Sequence, residues 1–573
     1  MLKITRRTAP SELPELSHWP ETMTRLFAAR GITCDNDLQY QASGLLHYQQ
    51  LSGMQKAVEL LQQVLASQDK IIIVGDFDAD GATSTAVLLL GLRQFGFLNI
   101  DFLVPNRFDF GYGLSPEIVD VAAAEGAKIL ITVDNGISSI QGVERANSLQ
   151  IPVIITDHHL PGKQLPDAAA IINPNLQDCE FPSKNLAGVG VAFYLLVALR
   201  AHFEQQGLFQ QRQLSKPNLG VLLDLVALGT VADVVPLDNN NRILVHQGIQ
   251  RIRSGKCRPG ISALLELARR QQSDIVASDL AFAVGPRLNA AGRLDDMTVG
   301  IQCLLADNAG EARSFAFQLD QLNQERRSIE SEMQQEAQQI LSEMQLAGEQ
   351  LPDGLALYEP HWHQGIVGIL AGRIKDKHFR PVVAFAQQDE NTLKGSGRSI
   401  PGLHFRDLLE EINNRYPGLI IKFGGHAAAA GLSINTEDFQ QFRTVFASLC
   451  SEWLSPEALS GELLTDGELT RQEFSLDFAR MLRSAGPWGQ GFPEPVFDGV
   501  FSLISQRIVG EKHLKMQVKS SDGCLLDAIA FNVDLSQWPN HSCDNIQLVY
   551  KLDVNEFRGQ QSVQLLVDAL TSY

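Results

Sequence analysis

The 573-residue sequence predicts an α/β protein with four parts: a parallel-sheet domain, a long connecting helix, a second α/β domain and a C-terminal β-barrel. Three observations predict it. Between residues 71 and 175, apolar β-branched runs alternate with helical segments, the signature of a parallel sheet. From Ala309 to Leu346 a polar stretch carries Phe315, Leu319, Leu322, Ile329, Met333, Ala337, Ile340 and Met344 at spacings of three, four or seven, which fits one amphipathic helix. After Leu454, short alternating runs are separated by turns such as Ser521-Asp522-Gly523 and Arg558-Gly559, the pattern of a small barrel.

In the first domain, strands are expected near 71–75, 99–104, 128–133, 151–156 and 169–173, with helices between them. Ile71 to Val74, ending at Gly75, reads as a fully buried strand. After Gly81, Thr-Ser-Thr before Ala-Val-Leu-Leu-Leu reads as a capping-type start to an apolar helix. Residues 176–300 read as largely helical. At 1.5 Å per residue the amphipathic helix would run roughly 55 Å, more than one domain needs, so it is expected to connect domains; a coiled-coil partner helix is the alternative. The second α/β domain should have strands near 354–358, 381–386 and 393–398 and helices near 364–377, 404–415 and 437–453. Five strands near 500–508, 514–519, 525–531, 546–552 and 563–569 suggest an OB-fold. The expected division is an N-terminal segment 1–50, a parallel-sheet domain 51–305, a connecting helix 306–348, a second domain 349–457 and the barrel 458–573.

Composition narrows the function. A net charge of −19 argues against a general polyanion binder, though not against a local basic groove. Arg251, Arg253, Lys256, Arg258, Arg269 and Arg270 make one cluster, for which a solvated helical surface is the simpler reading. The seven cysteines are scattered without a CxxC pair, which points to a reducing, cytoplasmic setting. No signal peptide or membrane span is evident.

The chemistry is concentrated at strand ends. "GDFDADG" holds Asp76, Asp78, Asp80 and Gly81, an apparent calcium-loop opening. The twelfth loop position is Val87 instead of a bidentate Glu, and a strand precedes the loop; an EF-hand is therefore not expected. Two more strands end in Asp134-Asn135-Gly136 and Asp157-His158-His159, and "GTVADVVPL" presents Asp233. One acidic loop is explained by helix capping. Three such loops at one sheet edge would repel unless cations held them. Carboxylates with imidazoles suit Mn²⁺ better than Zn²⁺ or Ca²⁺, and two ions roughly 3.5–4 Å apart steady the attacking and leaving oxygens in phosphoryl transfer. A haloacid-dehalogenase type Asp-x-Asp does not account for Asp80 or Asp-His-His. In the second domain, "LKGSGRSIPG" with Ser396 and Arg398, and "KFGGHAAAAGLSI" with His426, offer glycine-rich backbone and a guanidinium fork for phosphate. His363 reads as a helix N-cap.

Taken together, "GDFDADG", "VDNG", "DHH", "VADVVPL", "GRSIPG" and "GGHAAAAG" resemble the DHH phosphoesterase superfamily, and within it the single-stranded-DNA-specific exonucleases, over nearly the whole chain. The resemblance implies that Asp78, Asp80, Asp134, His158 and Asp233 ligate two Mn²⁺ or Mg²⁺ ions, with Asp76 in or beside the ligand set. It implies that His159 contacts the scissile phosphate and that Asp157 orients the motif. Arg287 and Arg293 in "GPRLNAAGR", with Ser396, Arg398 and His426, would hold substrate phosphates, and Arg107 in "VPNRFDFGYG" would grip the 5′ end. It further implies 5′→3′ release of 5′-mononucleotides from single-stranded DNA in recombination and mismatch repair. Implied partners are the single-strand DNA-binding protein and a RecQ-type helicase, with the chain a cytoplasmic monomer. Two rival readings are a small-substrate phosphoesterase of the same superfamily, which needs no barrel, and a non-enzymatic DNA-binding scaffold, which needs no acidic cluster.

Overall fold

Ile71–Val74 (β1), Ile100–Leu103 (β2), Ile129–Val133 (β3), Val153–Thr156 (β4) and Ala170–Ile172 (β5) form one sheet in the order β2-β1-β3-β4-β5. Every neighbouring pair is parallel, as the strand–helix alternation predicts. All residues of β1, β3 and β4 are buried, because helices cover both faces of a parallel sheet. The computed structural model that shows this describes residues 3–106, 113–346 and 351–573. Arg107 lies outside the described residues.

The helix after β1 is Ala79–Gln94 (α1). It starts earlier than expected, and its cap is Asp78, whose Oδ1 accepts from the Asp80 and Gly81 amides at 2.9 and 3.0 Å. Thr83 and Thr85 are inside the helix, where their hydroxyls donate back to the Ala79 and Gly81 carbonyls. A carboxylate two residues before an amide is the stronger cap, so Thr-Ser-Thr never competes for that place.

Further helices build the same domain, among them Gly188–Gln205 (α2), Leu223–Ala232 (α3) and Gly285–Leu294 (α4). Ala309–Leu346 (α5) is one continuous helix of 38 residues, as its apolar spacing predicts. Its buried apolar positions fall in two groups, Ala312, Ala316 and Leu319, then Met333, Ala337 and Leu341.

The chain forms two compact units interleaved along the sequence, one of Arg7–Leu322 with Thr465–Tyr573 and one of Asn323–Leu464 with a short amino-terminal stretch. In the second, Leu355–Tyr358 (β6), Val382–Gln387 (β7), Thr392–Arg398 (β8), Lys422–Gly425 (β9) and Ala429–Asn435 (β10) give a sheet of order β9-β10-β8-β7-β6. Only β6 and β7 pair in parallel; the others are antiparallel. The glycine-alanine stretch around His426 is therefore a hairpin and not an open loop. Gly425 serves close packing: a Cβ there would meet Ala429 and Ala430 backbone at 2.5 and 2.4 Å, and Gly425 has φ +148°.

The C-terminal strands Phe497–Val509 (β11), His513–Ser520 (β12), Leu525–Ala530 (β13), Asn545–Phe557 (β14) and Gln560–Ser572 (β15) close into a barrel. Closure comes from the parallel pairing of β13 with β15. The amino-terminal residues are more than a bare segment. Helix Glu21–Ala28 buries Phe27 against Trp488 and Phe492. Buried Arg30 makes a two-pronged bond to Asp466 at 2.8 and 2.9 Å and donates to the Pro493 carbonyl. No helix among the described residues is long and apolar enough to cross a membrane.

Candidate metal centre

Three parallel strands and one helix end deliver the acidic groups to one place. The loop after β1 carries Asp76, Asp78 and Asp80; Asp134 and Asp157 follow β3 and β4; Asp233 is the C-cap of α3. Their ligand atoms fall into overlapping triplets within 4.8 Å: Asp76, Asp78 and Asp134; Asp80, His158 and Asp233; and Asp134, His158 and His159. Asp134 and His158 each belong to two triplets. Asp134 also has φ +60°, a conformation unusual for a non-glycine residue and a form of strain found at functional sites.

Local packing fixes each carboxylate. Asp80 accepts from the Gly188 and Val189 amides at 2.6 and 2.9 Å, at the start of α2, where a helix N-terminus favours negative charge. A Cβ on Gly188 would lie 2.6 Å from the Cβ of Asp134, so only glycine lets α2 come this near. A Cβ on Gly292 would lie 1.7 Å from the Phe77 carbonyl, and Asn289 accepts from the Ala79 amide at 2.7 Å. Helix α4 is thus seated directly on the acidic loop. Asn173 and Asn175 hold the Asp-His-His turn by donating to the His159 and His158 carbonyls at 2.9 and 2.6 Å. These asparagines and glycines are what sequence reasoning missed; the Asn-Pro-Asn after β5 and the Asn inside "GPRLNAAGR" were the available signals.

The electrostatics explain why the cluster needs a cation. Burial, then the Asp78 charge, pushes Asp80 up to about 7. Burial and the surrounding aspartates also hold Asp134 and Asp233 well above the usual carboxylate range. His158 is lowered to about 4, chiefly by burial, and is neutral at pH 7. Its Nε2 lies 3.0, 3.5 and 4.0 Å from oxygens of Asp134, Asp233 and Asp80. These are ion-pair distances, but a neutral ring cannot supply the charge. Nε2 is buried without a hydrogen-bond partner among the described residues, while a bond to the Leu186 backbone favours the proton on the other ring nitrogen. A lone pair faces three acceptors. A divalent cation resolves that arrangement, and carboxylates with one imidazole are a suitable donor set for Mn²⁺ or Mg²⁺.

His159 is built differently. Its Nδ1 bonds buried Asp157 at 2.8 Å, and Asp157 also accepts from the Ile137, His158 and His159 amides. Burial pulls the His159 pKa down, but the Asp157 bond and charge, with Asp76 and Asp78, outweigh it and leave the pKa raised. Burial likewise pushes Asp157 up, and these bonds bring it below its ordinary value. His159, its side chain 37 % exposed, is thus an oriented and readily charged imidazole at the edge of the cluster.

Among the expected phosphate holders, Arg287 and Arg293 lie on α4. Arg287 is half-buried and bonds Asp320 at 2.8 Å and the Ala283 carbonyl. Ser396 and Arg398 belong to the other compact unit, two residues apart on β8 and so on one face; Arg398 donates to Ser396 Oγ at 3.1 Å. His426 is exposed in the β9–β10 turn, and its amide donates to the carbonyl of Ala429, the first residue of β10 and the register partner of Arg398. His363 is not a helix cap: its Nδ1 accepts from the Gly365 amide, closing a turn ahead of Val367–His378. Arg258 is structural, donating to the Leu304, Leu305 and Ala306 carbonyls.

A parallel sheet whose strand ends converge on buried carboxylates and a neutral imidazole defines a metal-dependent phosphoesterase of the DHH type. Family models agree: the DHH family N-terminal domain matches residues 70–230, the DHHA1 domain 351–452 and the RecJ OB domain 465–569. The single-stranded-DNA-specific exonuclease RecJ of Escherichia coli K12 is 59% identical over 560 residues, covering 98% of this chain and 96% of that protein. The RecJ of Bacillus subtilis is 31% identical, over 91% of this chain and 64% of that one. Among solved structures, RecJ of Thermus thermophilus in complex with Mn²⁺ superposes with a TM-score of 0.75 at 28% identity, covering 96% of this chain and 76% of that chain. The chain belongs to the RecJ family of single-stranded-DNA-specific exonucleases.

Proposed function

We propose that this protein is a metal-dependent 5′→3′ exonuclease that hydrolyses single-stranded DNA to 5′-mononucleotides. The observation that carries the reading is the shared position of Asp134 between two donor triplets, with the lone pair of His158 aimed among carboxylates. Asp76, Asp78 and Asp134 would hold one Mn²⁺ or Mg²⁺; Asp80, His158, Asp233 and Asp134 would hold a second. Two such ions polarise a phosphodiester and lower the pKa of the attacking water.

The chain's own groups do the rest. Asp157 accepts from Nδ1 of His159 and favours the doubly protonated ring, whose Nε2–H can then donate to a scissile phosphate oxygen and offset its developing charge. Arg287 and Arg293 on α4, and Ser396, Arg398 and His426 in the second unit, are the proposed holders of flanking phosphates, with Arg107 at the 5′ end. The proposed working division is a segment 1–50, a DHH domain 51–305, a connecting helix 306–348, a DHH-associated domain 349–457 and an OB-fold 458–573. Family membership supports a cytoplasmic monomer acting in recombination and repair beside single-strand DNA-binding protein and a RecQ-type helicase.

One assay tests the activity. The protein with Mn²⁺ is offered 5′-labelled and 3′-labelled single strands, duplex, short RNA and 3′-phosphoadenosine 5′-phosphate. Labelled mononucleotide released at once from the 5′-labelled single strand, and not from duplex, is expected. Preferential hydrolysis of the small substrates, or inertness towards all, overturns it.

A further inference from the structure

Asn135 stands between Asp134 and Gly136, outside the donor triplets and the proposed phosphate holders. Its side chain is fully buried. The carboxamide nitrogen donates to two backbone carbonyls, Val74 at 3.1 Å and Val133 at 2.8 Å. Val74 is the last residue of β1 and Val133 the last of β3. One side chain therefore ties together the two strand ends that lead into Asp76, Asp78 and Asp80 on one side and Asp134 on the other.

The tie falls where the register of these two strands ends, with Val74 opposite Thr132. Each strand is still held on its far side. The Gly75 amide donates to the Leu103 carbonyl of β2 at 2.9 Å, and the Asp134 amide to the Thr156 carbonyl of β4 at 3.0 Å. Between β1 and β3 themselves, the Asn135 carboxamide carries the connection onward. Backbone geometry brings it there: Asp134 has φ +60° and Gly136 φ +114°, so the chain doubles back around Asn135. Its bond to the Val133 carbonyl closes a ring across Asp134, holding that residue in its strained conformation.

Among side chains of this length, only a carboxamide carries two hydrogens on one nitrogen. The arrangement has a cost on its other atom: Oδ1 is buried beside Gly113 without a hydrogen-bond partner among the described residues, and a buried unpaired oxygen is unfavourable. Turning the group over would set that oxygen against both carbonyls, so the orientation is determined. We propose that Asn135 is a positioning residue, which sets the spacing between the carboxylates of the β1 loop and Asp134 and so the separation of the two ions that they share. The proposal rests on the two-metal reading of the cluster.

The test uses the full-length protein with Asn135→Ala, and with Asn135→Leu, which fills the space but donates nothing. Calorimetric titration counts the bound Mn²⁺. Electron paramagnetic resonance reads the pair, since two Mn²⁺ ions sharing a carboxylate give an exchange-coupled spectrum that isolated ions do not. The wild type should bind two ions and show that spectrum. At saturating Mn²⁺ both variants should lose or weaken the coupling. Their kcat on a long oligo-dT should fall about 10²-fold, the effect of roughly 1 Å of misplacement, with KM unchanged. Asn147→Ala removes an exposed side-chain bond to the Asp167 carbonyl and should keep the wild-type spectrum and kcat. Thermal unfolding in EDTA establishes that each variant is folded, and if Asn135→Ala is not, Asn135→Leu decides. Wild-type coupling and turnover in a folded Asn135→Leu protein overturn the proposal, because filling space would then be enough. So does a fall in turnover with the coupling unchanged. If neither variant folds, Asn135 serves the fold and the proposal falls as well. A wild type that binds one ion, or two without coupling, would instead overturn the two-metal reading.

Discussion

The two α/β sheets carry their polar groups in opposite ways. In the parallel sheet β1, β3 and β4 are wholly buried, and the acids stand beyond their carboxyl ends. In the mixed sheet Ser396 and Arg398 lie within β8 itself, at alternate positions on one face. The first arrangement packs like charges into a buried spot at a cost to folding; the second sets a single half-buried cation, made less basic by burial, with no like charge packed against it in the same strand. Damage to the first should therefore abolish turnover while relieving the metal-free fold, whereas damage to the second should weaken binding and leave the fold alone.

The largest effect is expected from Asp134→Ala. With saturating Mn²⁺, kcat should fall roughly a thousandfold, about 4 kcal/mol of transition-state stabilisation. In EDTA the same variant should unfold at an equal or higher temperature, because a buried, repelled carboxylate has gone. A stable, near-normal enzyme would break the comparison at its centre.

The two adjacent histidines sharpen it. His159→Ala should lower kcat by about 10²-fold or more, as loss of a donor that stabilises transition-state charge does, with Mn²⁺ affinity intact. His158→Ala should weaken Mn²⁺ binding measurably by calorimetric titration, and excess metal should restore part of the rate. Equal loss of metal in both would erase the distinction.

For the mixed sheet, Arg398→Ala should raise KM for single strands by roughly 10- to 100-fold, the worth of a charged hydrogen bond of about 1.5–3 kcal/mol. Arg398→Lys should restore little of it, since an ammonium cannot reproduce the planar fork. Unfolding temperature should not move. A collapse in stability would show that Arg398 is a structural group.

The smallest effect concerns pH. Asp80 titrates near 7 when folded and near 3.8 when unfolded. Between those values the folded state keeps a proton that the unfolded chain has released, so stability falls as pH rises. In EDTA the unfolding temperature should drop between pH 5 and pH 8, and Asp80→Asn should flatten that slope. Mn²⁺ should stabilise more at pH 8 than at pH 5, because protons compete for the same oxygens. An unfolding temperature that climbs with pH in EDTA would contradict the raised carboxylates.

These same differences decided what could be read from sequence. The parallel strands were legible because short, largely apolar runs such as Ile71–Val74 and Ile129–Val133 leave few alternatives, and the acidic ends of three of them were conspicuous by contrast. The extent of α5 followed from apolar spacing alone. The β9–β10 hairpin was not legible, since glycine and alanine give no alternation of polar and apolar residues to count. The helix start at Asp78 was hidden because the same side chain serves as cap and as candidate ligand. Contacts such as Gly292 on Phe77 depend on tertiary approach, and a single glycine in a helical stretch does not announce its neighbour.

The bond between Arg30 and Asp466 has a consequence in time. The two residues are 436 positions apart in sequence, and ribosomes add about 5–20 residues per second. Arg30 and the aromatic face of Phe27 therefore wait roughly 20–90 s for their partners after they are made. Throughout that interval a cation and an aromatic ring destined for burial stand exposed on the nascent chain, a natural target for chaperones. The enzyme's first helix is among the last parts of it to be finished.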